Sequence, residues 1–305
     1  MVMHLPLKNA MKLRIFIFVI SAVVFYSCRD SSEKTGEFIF PETEKLSPEP
    51  IADISKNISS PVEIANLLQL LEVPFSKNYL ATNIDANKQS TNFDKSLKLG
   101  ILGADLGYLN MYEQTGSSLD VLSSIRKLAE DIKVGQFFDF ESIKRLSKNK
   151  SNLDSLLFVS IDSYSQIDNY LRSNDRGQFS ALIIVGVWIE GQYLATQVIK
   201  QFPDEMLSDR IGEQKIILDD LLLLIRPYCN RDSEFASLCK DLMDIKDIYQ
   251  DVSITYTQGD PLIEEKDRGL EITQTETSAV EMSQEQLESI IKITKNIRDR
   301  LISNN

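Results

Sequence analysis

Asp105 and Glu190 are the residues with the strongest claim to chemistry. Each stands among glycines and aromatic side chains: Gly103-Ala104-Asp105-Leu106-Gly107-Tyr108-Leu109, with Tyr112 a turn further on, and Gly186-Val187-Trp188-Ile189-Glu190-Gly191-Gln192-Tyr193-Leu194. Two carboxylates that meet can hold a hard cation or act as an acid/base pair. Tyrosine and tryptophan add apolar area with a polar edge, which suits sugars or peptides. Asp105, Tyr108, Tyr112, Trp188, Glu190 and Tyr193 therefore form the expected ligand-binding group. Glycine inside a helix costs about 1 kcal/mol relative to alanine, so these glycines need a cause. The plainer one is a close crossing of two helices, with the acids capping or hydrogen-bonding groups in the core.

The rest of the catalytic inventory is thin. The only histidine is His4, inside the export leader described below, so the mature chain would have none. That removes histidine as general base, the Ser-His-acid arrangement and histidine-containing zinc or iron sites. No catalytic residue, cofactor or metal site is expected, and no phosphate-cradling glycine loop, zinc motif or calcium loop is present. Asp219-Asp220 are neighbours on a helix and point apart, so they read as a solvated edge. Asp260 and Glu264-Glu265 read as a charged loop. Cys229 and Cys239 flank a turn-like Asn230-Arg231-Asp232-Ser233. In an oxidising compartment they can pair as a disulfide; two buried, unlinked thiols are the alternative.

The elements that must position these residues read as helices. Ser60-Pro61-Val62-Glu63 combines a cap, a proline at the first helical position and a carboxylate three residues after the cap, and that helix is expected to stop near Val73-Pro74. Thr91 with Asp94 opens a helix to about Glu113, Ser117 with Asp120 another, and Ser151 with Asp154 another reaching Leu171. Between them a short helix covers Phe140 to Leu146. The apolar run Phe179 to Ile199 is too long for a strand and reads as a central helix. It is not expected to span a membrane, because Glu190 and Gln192 interrupt a run too short to cross. Helices over about Glu213–Leu224 and Ser233–Tyr249 follow, and Ser283 with Gln286 caps a last amphipathic one. Val252–Tyr256 and Leu270–Thr273 alternate like short strands and form either a small hairpin or one long surface excursion. The fold class is therefore all-α, an antiparallel helical bundle or irregular array with a short hairpin near 252–273. The two glycine-acid-aromatic phrases hint at duplication, but their spacings do not superimpose and no standard repeat motif is present.

The N-terminus explains where such a domain would work. Lys8, Lys12 and Arg14 precede an apolar run from Ile15 to Tyr26 that ends at Ser27-Cys28. A run of about 12 residues is too short for an ordinary span but fits a signal peptide. A small residue followed by cysteine resembles the lipobox of bacterial lipoproteins, which implies cleavage before Cys28 and acylation, with palmitate among the chains, at Cys28. Residues 1–27 are thus the expected leader and 28–59, rich in Glu and Pro, a flexible tether; 60–305 are the helical domain. Without the leader, 30 Lys+Arg face 45 Asp+Glu, a formal net charge of −15. That balance disfavours nucleic acid, which needs basic surface, and leaves membrane attachment to the lipid.

Ser60-Pro61-Val62-Glu63-Ile64-Ala65, Gly103-Ala104-Asp105-Leu106-Gly107-Tyr108, Phe137-Phe138-Asp139-Phe140 and Trp188-Ile189-Glu190-Gly191 with Tyr193-Leu194-Ala195 resemble a group of uncharacterised Bacteroidetes lipoproteins. The resemblance implies a Gram-negative envelope protein facing the periplasm or the cell exterior, and it brings no reaction with it. The leading expectation is a non-catalytic binding or scaffold module for another envelope protein. A glycan or small-ligand binder with an aromatic and carboxylate pocket is the alternative. A carboxylate hydrolase is less favoured, since it needs Asp105 and Glu190 facing one another across an open cleft.

Overall fold

Side-chain caps fix where most helices begin. The computed structural model describes residues 68, 70–82, 84–146, 153–258, 262–266, 269–273 and 276–303. The leader, the tether, the Ser60 and Ser151 caps and Asp260 lie outside them. In α1 (Asn92–Met111) the Thr91 hydroxyl accepts the Asp94 N–H, and in α8 (Gln284–Ile302) Ser283 and Gln286 form a reciprocal capping box. The next helix, α2 (Thr115–Asp131), starts after Gln114 without a side-chain cap. Ser117 is thus already helical, and Ser118 turns into the core. Then come α3 (Phe140–Leu146), α4 (Leu153–Ser173) and α5 (Gly177–Gln201). Asp204 accepts the Leu207 N–H and starts α6 (Glu205–Ile225) eight residues before the expected Glu213. Asp232 caps α7 (Ser233–Tyr249), which has the expected bounds, by accepting from Glu234 and Phe235.

Four helical segments end on a residue other than glycine in the left-handed region: Glu72, Glu113, Lys133 and Asp175, with φ of 51°, 57°, 63° and 54°. In each, the next amide closes back on a carbonyl five residues earlier, as in Val73 to Leu68 and Val134 to Ala129. This is the usual glycine-ended helix stop made without glycine.

The strand region forms two two-stranded sheets. Strand β1 (Ser253–Gln258) pairs antiparallel with β4 (Glu276–Glu281), Ile254 opposite Val280. Between them in the sequence, β2 (Leu262–Lys266) and β3 (Gly269–Thr273) pair antiparallel, Ile263 opposite Ile272. The expected strand at 270–273 therefore pairs with 262–266 and not with 252–256. Glu264 and Glu265 lie in a strand, not in a loop. The β1–β4 pair is tied to α6: Val280 occupies the space where a side chain on Gly212 would stand, and Ser278 donates to Glu213.

Two apolar cores share α1. Leu97, Ile101, Tyr108 and Leu109 face one core with α5 to α8, while Leu99, Leu102 and Leu106 face a second with α2, α3 and α4. A helix buried on both sides has no polar face to spare. The same holds for α5, whose 25 residues are long and apolar enough to cross a bilayer but whose most apolar window is 83% buried within the protein. Length alone therefore does not exclude a span, as the sequence had implied; the packing around α5 is what a core helix needs. Helices α1 and α5 touch at backbone distance. A Cβ on Gly100 would overlap the Ile183 carbonyl, and one on Gly186 the Leu97 carbonyl. Further along both helices Asp105 meets Glu190, so the contacts advance together and the two run parallel. Gly103 makes room for the Tyr164 hydroxyl, whereas a Cβ on Gly107 or Gly191 would meet nothing within 4 Å.

Candidate functional site

Asp105 on α1 and Glu190 on α5 face one another because the glycine crossing brings their helices together a turn earlier. Both are sealed, at 1% and 0% exposure. The third member is Arg298 on α8, also buried at 3%. Its Nε and one terminal nitrogen donate to the two Glu190 oxygens at 2.8 and 2.7 Å. The same terminal nitrogen reaches the Tyr79 carbonyl at 3.1 Å, and the guanidinium lies 4.1 Å from the centre of the Tyr193 ring, a cation–π contact. Asp299 stands beside it at 3.5 Å.

One arginine serves two carboxylates, and its fork is spent on Glu190. Burial, then the charge of Glu190, hold the Asp105 carboxyl well above the usual range, and the Ala81 N–H and Arg298 only partly oppose this. Burial raises Glu190 as well, while the hydrogen bonds and charge of Arg298 pull it down. We place the shared proton on Asp105. Its Oδ2 accepts from Ala81 N–H at 2.8 Å, and its Oδ1 has no donor to accept from, so a proton there satisfies it by donating toward Glu190. Burial works against the Arg298 charge, but Glu190 more than offsets it and the guanidinium is held above its ordinary value.

The tyrosines are spent on the chain itself. Asp105, Tyr108 and Tyr112 share one face of α1, and the segment Val73–Ala81 runs antiparallel along it. The Tyr112 hydroxyl donates to the Val73 carbonyl at 2.8 Å, the Tyr108 oxygen accepts from Ser76 N–H at 3.0 Å, and Asp105 takes Ala81. Phe75 lies 5.6 Å from the rings of both Tyr108 and Tyr112. Burial pushes the Tyr108 phenol up to about 12, so it remains a neutral partner throughout the physiological range.

Of the six residues marked in the sequence, the structure brings Asp105, Glu190, Tyr193 and Tyr108 together and places Tyr112 at the far end of the same strip. Trp188 is separate. Two positions before Glu190 on α5, it points elsewhere, and its indole N–H donates to Gln214 on α6 at 3.0 Å. Asp219 pairs across to Lys246, and Asp220 is half-buried beside it. Cys229 and Cys239 are joined by a disulfide, Cα atoms 5.8 Å apart, which ties the end of α6 to α7. Arg298 was not marked in the sequence. The signal was its register: it falls eight residues after Ile290 and four after Thr294, on the stripe that α8 buries.

Chemically the cluster is a closed, charge-balanced joint. The acids face one another and one holds a proton, but no open cleft reaches them, so the geometry lacks what a hydrolase needs. Trp188 and Tyr108 are each 4% exposed and offer no concave aromatic wall. An open groove of about 740 Å3 does lie between α8 and the α5–α6 corner, floored by Ile199, Leu287 and Ile291 and edged by Lys200 and Lys292; its lining includes no aromatic side chain. Among the described residues, no cluster of three or more His, Cys, Asp or Glu is placed to hold a metal. The chain matches no protein-family model, no curated protein and no solved structure.

Proposed function

We propose that the chain is a non-catalytic envelope lipoprotein, akin to the Bacteroidetes lipoproteins it resembles, whose helical body binds or scaffolds another envelope protein. The observation that carries this reading is the closure of the Asp105–Glu190–Arg298 cluster. The residues best equipped for chemistry are withdrawn from solvent and engaged in holding Val73–Ala81, which leaves outer surfaces as the place of function. Two features of the sequence support the location. Cys28 follows an export-type apolar run, and some thirty residues rich in Glu and Pro separate it from the domain. The acidic balance favours a protein partner over nucleic acid. The carboxylate hydrolase gains no support, and the glycan reading loses the exposed aromatic wall on which it depended.

The test is chemical crosslinking in native membranes, comparing the full chain with Cys28→Ala. A single envelope protein recovered with the anchored form and lost with Cys28→Ala, together with loss of radiolabelled palmitate, is the expected result. Recovery of other membrane complexes but no partner for this chain would refute the binding role.

A further inference from the structure

We infer that the α1 face bearing Asp105, Tyr108 and Tyr112, closed by Arg298, is a peptide-binding groove occupied in cis by Val73–Ala81, and that it receives a partner segment carrying two aromatic residues four positions apart around a single 3-10 turn, as at Lys77–Tyr79. This rests on the binding role proposed above and names the chemistry of the partner. The bonds across the groove are bonds to main chain: a carbonyl at Val73, an N–H at Ser76, a carbonyl at Tyr79 and an N–H at Ala81. Main-chain recognition gives affinity without dictating sequence, and side-chain pockets supply the selection. Here the selection is aromatic. Phe75 sits between Tyr108 and Tyr112, and Tyr79 packs 6.4 Å from Tyr108. Between those two anchors, Lys77 and Asn78 point outward and are exposed.

The strap is also imperfectly satisfied. The buried Tyr79 hydroxyl has no well-formed hydrogen bond, with only the Ser76 side chain to help it, and Asp105 Oδ1 is met only if it carries a proton. An unmet buried polar group costs on the order of 1–3 kcal/mol, so a better-matched segment has something to gain by displacing the strap. Glu72, in the left-handed region, gives it a pivot at one end.

Two measurements on the purified full chain test this. Hydrogen exchange should show the Ser76 and Ala81 amides opening roughly 100-fold faster than the amides of α5, as a local event. Tyr112→Phe, which removes the Val73 bond, should speed them further and leave α5 unchanged. A fluorescein-labelled peptide of residues 72–82 should bind Phe75→Ala about tenfold or more tightly than wild type, because weakening the cis occupant raises the fraction of open groove. A peptide with Phe75 and Tyr79 replaced by alanine should not bind. Exchange of Ser76 and Ala81 at the rate of α5 would make the strap ordinary core and overturn the inference. So would an accelerated strap with no peptide binding to Phe75→Ala. Neither result depends on the crosslinking experiment, so the groove can fail while the binding role stands.

Discussion

Arg298 closes both arms of its guanidinium on Glu190, 108 positions earlier in the chain, at 2.7 and 2.8 Å. Removing one partner of a buried pair leaves a charge with no compensation, which costs roughly 3–5 kcal/mol, whereas removing both in favour of apolar groups is often neutral. Arg298→Met should therefore destabilise by about that amount, and Arg298→Met with Glu190→Met should recover most of it. Urea unfolding followed by the fluorescence of Trp188, the sole tryptophan, measures the cycle. A double variant no better than Arg298→Met would mean that packing around the cluster, and not its charge, dominates.

Asp105→Asn should change the pH dependence of stability. The carboxyl keeps its proton in the folded chain above the pH, about 3.9, at which an unfolded aspartate loses it. The folded state therefore binds more protons than the unfolded one, and stability falls as pH rises from that value toward the raised folded one. Asparagine has no such proton to lose. Its amide can still accept from Ala81 and donate to Glu190. The variant should gain on wild type steadily from pH 4 to pH 7 and equal or exceed it at neutrality. Parallel stability curves would place the proton elsewhere.

The helix glycines should divide into two classes. Gly100→Ala and Gly186→Ala drive a methyl into a carbonyl of the partner helix and should cost about 3 kcal/mol or prevent folding. Gly107→Ala and Gly191→Ala meet open space and should stabilise by about 0.5–1 kcal/mol through helix propensity. Thermal melts of the four variants check this. Similar behaviour of all four would rule out the close crossing as the reason for Gly100 and Gly186.

Reduction of Cys229–Cys239, whose cysteines are ten positions apart, reopens a short loop. The chain-entropy relation gives a loss of about 3 kcal/mol for a loop of this size. The melting temperature should fall in reductant and not in Cys229→Ala/Cys239→Ala, which starts at the lower value.

Much of the helical plan was legible because caps are local. Thr91 and Ser283 announce their helices through side chains three residues from the bonds they make, and Phe140–Leu146 was read to the residue. The start of α6 was missed because Asp209 and Arg210 break the apolar rhythm ahead of Glu213, although Asp204 held the cap. Strand pairing could not be read from alternation, which marks a strand but not its neighbour. Helix ends at Glu113, Lys133 and Asp175 carry no glycine to flag them. The two acids were found by type. Arg298 and the strap belong to distant parts of the sequence, and only the folded chain shows that the expected ligand residues already hold Val73–Ala81.

The contact between Arg298 and the Tyr79 carbonyl spans 219 positions, and it has a temporal meaning. At the usual rate of about 5–20 residues per second, the first of these residues is made roughly ten to forty seconds before the last. Glu190 is made about midway through that interval and has no counter-ion over the 108 positions that remain before Arg298. The domain therefore cannot finish folding piecemeal as it is synthesised, and every copy passes through a stage in which its most buried charges are wet.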